Sequence, residues 1–202
     1  MHVPAHFTAD EAQLAGLLEP GLGDLVTATP SGLLCTPVPF VAEDGVLLAH
    51  LARANPQWSE PVVGEAMVVL HGPQGYVTPS WYAAKAEHGR VVPTWDYLTA
   101  HVYGTLVVHD DPDRVEHVVR RLTEAFEAGR DEPWSVDDAP RPFVEGQLRA
   151  IVAVELVVTR VVAKAKLSQN RTGDLDGIVA GLRRDGQGML ADAVERARPT
   201  SV

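Results

Sequence analysis

Four of the eight histidines and three of the four tryptophans fall between residues 50 and 101, in the segments HLARANPQW, TPSWY, VPTWDY and HVYG. A plain apolar core does not need that mixture. Valine and leucine fill space without polar atoms, whereas a buried Trp, Tyr or His has to find a hydrogen-bond partner. Aromatic faces interleaved with Arg, Asn, Gln and His suit a flat ligand with polar edges. For any one segment a small β core filled by Trp and Tyr is the better explanation; four in so short a span shift the balance towards a site. Arg53 stands just before Asn55-Pro56, a start signal for a short helix, where a guanidinium beside free amides would favour a phosphate. A second basic element lies far along the chain. Residues 156–173 contain Arg160, Lys164, Lys166 and Arg171 with no acid, and the stretch KAKLSQN ends in a hydroxyl and two amides at Ser168, Gln169 and Asn170. That segment reads either as a solvated strand face or as a phosphate-binding exit.

Other chemistries have less support. His50, His71, His88 and His101 are too far apart in sequence to make a paired metal-ligand motif, and no metal site is expected. No Ser-His-Asp arrangement follows from residue order. Cys35 sits in the apolar run LLCTPVPFV, the setting of a small packed thiol rather than a nucleophile. His50 and His101 also leave open ligation of a haem iron.

The elements that must carry these residues are largely short strands. A T-x-x-E capping box at Thr8 and Glu11 predicts a first helix with Leu14, Leu17 and Leu18 on one face. Apolar stretches at 23–29, 33–41 and 45–49, separated by Pro-Ser-Gly and Glu-Asp-Gly, read as strands joined by hairpin turns. Pro37 and Pro39 put the middle stretch at a sheet edge or bulge. Further strands are expected at 65–71, 74–78 and 101–109. Trp81, Tyr82, Trp95 and Tyr97 fall to loops around Pro79 and Pro93, as a binding rim. Asp111, Pro112 and the stripe Val115, Val118, Val119, Leu122 and Phe126 predict a helix over 112–128, ended by Gly129. The β-branched run 150–167 predicts one long strand, and 174–198 one or two helices broken around Gly186 and Gly188. The expected fold is mainly β with flanking helices, an α+β chain built on a small barrel. Residues 1–172 are expected to form the barrel domain and 173–202 a helical appendage packed on the barrel or on a partner.

With 202 residues the chain can bury a real core, and no apolar run reaches membrane-spanning length. The start MHVPAHFTADEAQ lacks the pattern of a secretory signal, and a lone cysteine suits a reducing cytoplasm. The formal charge of −10 argues against unaided DNA binding, because phosphate contacts require a basic face.

The order HLARANPQW, GPQGYVTPSWY, VPTWDYLTAHVYG, PW and KAKLSQN resembles the PaiB-type family of FMN-binding negative transcriptional regulators, from MHVPAHF to about residue 182. The resemblance implies an FMN-binding split β-barrel that forms a homodimer with flavin between the subunits. It implies phosphate or ribityl contacts from Arg53, Asn55 and Gln57, and further contacts from Lys166, Ser168, Gln169 and Asn170. Thr36 with Pro37 would lie against the isoalloxazine, with Trp95 or Tyr97 covering it from the partner chain. His50, Ala54, Trp58 and His101 complete this candidate set. The implied function is an FMN-binding regulator of the PaiB type. A flavin-dependent oxidoreductase acting on a small molecule and a haem-binding or haem-degrading barrel are the alternatives. Direct DNA binding is the part of the family description that the acidic balance opposes.

Overall fold

A computed structural model describes residues 1–199. Six strands, β1 (Gly21–Thr29), β2 (Gly32–Glu43), β3 (Val46–Ala52), β4 (Ala66–Val77), β5 (Thr94–His109) and β6 (Ile151–Lys166), form a closed barrel in the order β1-β2-β3-β6-β5-β4. Helices α1 (Glu11–Leu18), α2 (Ala83–Glu87), α3 (Pro112–Glu127), α4 (Arg141–Leu148), α5 (Leu175–Arg184) and α6 (Gly188–Arg196) accompany it. The mainly β architecture with flanking helices is therefore present. Closure removes the exposed sheet edges that short antiparallel strands would otherwise present. The chain divides into two compact units. The larger holds Leu18–Leu70 and His101–Val162; the smaller holds Met1–Leu17, His71–Ala100 and the chain from Ala163 onward.

In the larger unit, tight turns at 30–31 and 44–45 set β1, β2 and β3 antiparallel, with Leu25 opposite Thr36 and Val41 opposite Leu48. Asp44 and Gly45 both take positive φ, as the Asp-Gly turn requires. β2 meets β3 only over Val41–Glu43, so Pro37 and Pro39, paired with β1 alone, cost no ladder hydrogen bond on their other side. Asp111 caps α3 by accepting from the Arg114 N–H at 2.8 Å; of the predicted stripe Phe126 is exposed and Val119 partly buried, while Val115, Val118 and Leu122 are buried. They join Val41, Leu48, Val136, Val144, Leu148 and Ala153 in one apolar cluster. Each valine or leucine of this cluster stabilises the fold by about 1.5–3 kcal/mol relative to exposure. Helix α4 has no counterpart in the sequence reading, because Pro142 and Gly146 mask its short Val144–Leu148 repeat.

In the smaller unit three expectations are corrected. The N-terminal box of α1 is made by Asp10 and Gln13, each side chain accepting from the other's backbone N–H at 2.8–3.0 Å. Thr8, two residues too early, instead bridges Lys164. The stretches 65–71 and 74–78 are one strand, β4, which runs through Gly72-Pro73. A Cβ at Gly72 would come within 3.0–3.1 Å of Leu98 and Leu17, so glycine marks a close approach here rather than a turn. Trp81 and Tyr82 are not a rim. Tyr82 is buried, and the Trp81 ring lies on Gly181 of α5, where an added Cβ would sit 2.2 Å from the indole. The helices at 175–184 and 188–196 break at Gly186, as expected.

Candidate functional site

The sequence-predicted residues gather into two groups, one in each unit. In the larger unit, β3 ends at Ala52 and the chain turns through Arg53–Asn55 into a single 3₁₀ turn, Pro56–Trp58. The Asn55 side chain caps that turn by accepting from the Gln57 N–H at 2.9 Å, and its Nδ2 donates to Thr36 Oγ1 at 2.9 Å. Thr36 Oγ1 in turn donates to Gln57 Oε1 at 2.5 Å. Gln57 is only 1% exposed, and its Nε2 donates to Leu25 O and Thr27 Oγ1 at 3.0 and 3.1 Å. A buried amide with both ends satisfied stabilises this loop, and removing either partner would orphan the others. The Gln57 amide N–H, which the sequence reading offers to a phosphate, is taken by Asn55.

Arg53 is oriented by the same turn. Its Nε donates to Arg149 O at 2.8 Å, and its Nη2 donates to Ile151 O at 3.1 Å and to Asp110 Oδ1 at 2.5 Å. The bond from Arg53 holds the Asp110 carboxyl below the usual carboxylate range. Trp58 Nε1 donates to Arg53 O at 2.9 Å, tying the indole to the turn. Arg53 and Asp110 line a cavity of about 310 Å³ with Arg141, Glu145, Leu148 and Arg149. His50, on β3 opposite Ala153, has a buried Nδ1 with no hydrogen-bond partner, and burial pushes its pKa down, so the imidazole is neutral at pH 7. His101 lies edge-on to Tyr103, with Nδ1 3.4 Å from the phenol oxygen. Pro37 and Ala54 are exposed.

In the smaller unit, Trp95 and Tyr97 belong to β5 and not to a loop, because the strand begins at Thr94 directly after Pro93. Strand alternation turns Trp95 and Tyr97 one way and Asp96 and Leu98 inward. Trp95 is 51% exposed and donates from Nε1 to Gln74 at 3.3 Å; Tyr97 has the Lys164 ammonium 5.4 Å from its ring centre. Lys166, at the end of β6, donates from Nζ to Thr94 Oγ1, to Trp95 O at 2.7 Å and to Asp96 Oδ1 at 3.5 Å. Ser168 Oγ donates to Asp96 Oδ2 at 2.6 Å. The Gln169 side chain closes the turn locally, accepting from the Leu167 N–H at 2.8 Å and donating to Ala165 O at 2.6 Å. Asn170 is exposed and lines two concave surfaces, one with His6, Thr8 and Gln13, the other with His88, Arg90 and Arg171. Asp96, absent from the sequence-predicted set, is fully buried, and burial raises its pKa against the opposing pull of Ser168, Lys166 and Arg171. Its signal was available: TWDYLTA alternates, and the acid occupies an inward position.

Comparison with known proteins decides what kind of molecule carries these groups. Residues 1–160 match the family described as "Putative FMN-binding domain". The chain belongs to that family. The Protease synthase and sporulation protein PAI 2 of Bacillus subtilis is 30% identical over 178 residues, spanning 85% of this chain and 83% of that protein. An uncharacterized protein of Emericella nidulans is 31% identical over 207 residues, covering 82% of each chain. Among solved structures, the flavocytochrome Anf3 of Azotobacter vinelandii superposes with a TM-score of 0.57 at 14% identity, covering 81% of this chain and 72% of that one. The FAD and haem binding protein of Mycobacterium smegmatis gives 0.56 at 19% identity, with coverage of 78% and 71%. These likenesses establish the split-barrel fold.

The FMN-binding family assignment can be tested against the side chains present. FMN has a phosphate dianion, a hydroxylated ribityl chain and a flat ring with polar edges. Arg53 offers a half-exposed guanidinium, Asn55 an amide hydrogen beyond its bond to Thr36, Asn170 an unburied amide, and Trp95 an exposed indole face. Each group by itself holds side chains of the kind this cofactor needs. Lys166 differs from the expectation of a free phosphate ligand, since all three of its ammonium hydrogens point to protein oxygens. It supplies fixed positive charge.

Proposed function

We infer that this protein is a homodimeric FMN-binding protein whose role is regulatory, with flavin held at the subunit interface. The observation that carries the reading is the FMN-binding family match over residues 1–160, joined to the Arg53–Asn55 turn and its donors. In this reading Arg53 and Asn55 meet the phosphate or ribityl chain, and Thr36 with Pro37 lies near the isoalloxazine. Gln57 acts through Thr36 and Asn55, with Ala54 and Trp58 shaping the turn. Lys166, Ser168, Gln169 and Asn170 form the second contact set, and Trp95 or Tyr97 covers the ring from the partner subunit. The bound flavin supplies the electron chemistry; the chain supplies binding and orientation. A regulatory role follows the likeness to the Bacillus subtilis sporulation protein.

Regulation by direct operator contact is not part of this reading. A dimer of two chains at −10 carries about −20 and would be repelled by DNA. No helix of the described residues is long and apolar enough to cross a membrane, and a cytoplasmic location accords with the single free cysteine, Cys35, which is exposed rather than packed as expected. The test is titration of the purified protein with FMN and with riboflavin, with light scattering for the dimer and a gel-shift series against salt. Flavin fluorescence quenched at one FMN per chain, weaker uptake of riboflavin, a dimeric mass and no salt-dependent DNA shift are expected. No uptake of either flavin overturns the reading.

His50 favours a second reading, a haem-binding barrel. A neutral imidazole with an unpartnered buried nitrogen is chemically able to ligate iron. A Soret band after haem addition that is lost in His50→Ala would support it. FMN competing for the same protein would separate the two cofactors. A flavin-dependent oxidoreductase predicts reduction of the bound flavin by a nicotinamide cofactor and reoxidation by a small-molecule substrate.

A further inference from the structure

The exit of β6 is held in an unusual conformation. Ser168 has φ of 59°, in the left-handed region that a serine rarely enters unless its surroundings hold it there. Its hydroxyl is bound to Asp96 Oδ2, while the other oxygen of the same carboxylate faces Lys166 Nζ. Asp96 has no exposed surface, Ser168 is 2% exposed, and the Lys166 side chain is 24% exposed. One buried carboxylate thus anchors, 70 and 72 residues away in sequence, both the ammonium and the hydroxyl of the KAKLSQN exit.

We propose that Asp96 is the positioning residue of the second FMN-contact set, fixing the Lys166 ammonium and the Ser168 turn so that Asn170 is presented in one conformation. The proposal rests on the reading that this exit contacts FMN. The carboxylate touches no ligand itself. Without its charge, Lys166 would keep only the Thr94 and Trp95 oxygens, and Ser168 would lose the bond that offsets its strained backbone. The turn would then sample several conformations, and a ligand would have to order it on binding.

A buried charge used this way makes the set pH-sensitive. Asp96 faces Ser168 and Lys166 from the β6 exit and feels the cation of Arg171; Tyr82, buried on the neighbouring turn, in turn feels the Asp96 charge. Burial moves the Asp96 pKa up toward neutrality, so acidification protonates its carboxylate. The same protonation has opposite effects on binding and on folding. It releases the hold on Lys166 and weakens FMN, and it removes a buried charge, so the Asp96 contribution to stability is greatest at low pH and is lost as pH rises through its folded pKa.

The test uses Asp96→Asn, which keeps the shape and discards the charge, in the full-length protein. At neutral pH the variant should bind FMN at least about tenfold more weakly than wild type. In the ligand-free protein, amide hydrogen exchange over residues 167–171 should accelerate by a similar factor. Its unfolding midpoint should not fall, which separates positioning from misfolding. As pH falls, the ratio of the two affinities should shrink toward one, a comparison in which the titration of FMN's own phosphate cancels. Wild-type uptake of FMN with an unaltered Asp96→Asn affinity, or an affinity ratio constant with pH, overturns the proposal alone. Wild-type protein that takes up no FMN overturns the reading on which it rests.

Discussion

The two groups of candidate residues solve the same problem with different physics. Each must fix the polar side chains of a turn that follows a strand. The Thr36–Asn55–Gln57 group does so with neutral hydrogen bonds alone, closing on a buried amide whose donors and acceptors all have partners. The Lys166–Ser168 group is organised on a buried carboxylate that offsets its own desolvation with an ammonium and a hydroxyl. A neutral network is rigid at every pH but collapses when one member is lost. A charged anchor costs stability through burial and ties the geometry of its turn to protonation.

That contrast can be broken most forcefully at Gln57. Gln57→Ala should destabilise the protein by about 3 kcal/mol, the sum of a small cavity and buried partners left without a bond, as measured by urea unfolding. A loss below about 1 kcal/mol would show that the neutral network is not the support of its turn. Next in size is Gly177→Ala on α5. The new Cβ would meet the Trp81 backbone oxygen at 2.0 Å, so a loss of about 2 kcal/mol is expected despite the gain in helix propensity. Arg53→Ala should weaken FMN by roughly tenfold, through loss of a hydrogen bond to a charged group. Lys166→Ala should weaken it comparably, but through loss of fixed charge and of the β6 exit. Because Lys166 is the less exposed of the two, its deficit should persist in high salt, while that of Arg53→Ala shrinks. Equal salt dependence in both variants would erase the distinction between the groups.

The smallest expected effect concerns His50. Burial lowers its pKa below 6.5, so its contribution to stability is fully present above 6.5 and is lost as the pH falls toward the lowered folded value. Thermal unfolding of wild type should therefore lose stability over that interval relative to His50→Phe. Parallel pH profiles would show that the buried imidazole is not strained.

Much of this architecture was legible in the sequence, for local reasons. The Asp111-Pro112 start and the valine stripe specified α3, the Asp-Gly turn specified the β2–β3 hairpin, and Gly186 marked the break between α5 and α6. What was misread had a tertiary cause. Gly72-Pro73 looks like a turn, but the glycine is there for a close approach to Leu98 and Leu17, and β4 continues through it. Pro93 looks like the centre of a loop, but it immediately precedes β5, and Trp95 and Tyr97 lie on the strand. Thr8 and Glu11 fit a capping box as well as Asp10 and Gln13 do; the pairing of Thr8 with Lys164 decided between them. The candidate residues themselves could be picked out by type, while their partners could not. Asp110 lies 57 residues from Arg53, and nothing in the local pattern links them. Asp96 is the exception, since period-two alternation alone puts a carboxylate inside.

The central claim is that these two groups serve FMN. The measurement that tests it most directly is titration of the purified full-length protein with FMN, followed by visible absorbance and flavin fluorescence. The account predicts saturable uptake of one FMN per chain with a perturbed flavin spectrum. A flavin spectrum unchanged from that of free FMN, with no uptake at large excess of protein, would contradict it.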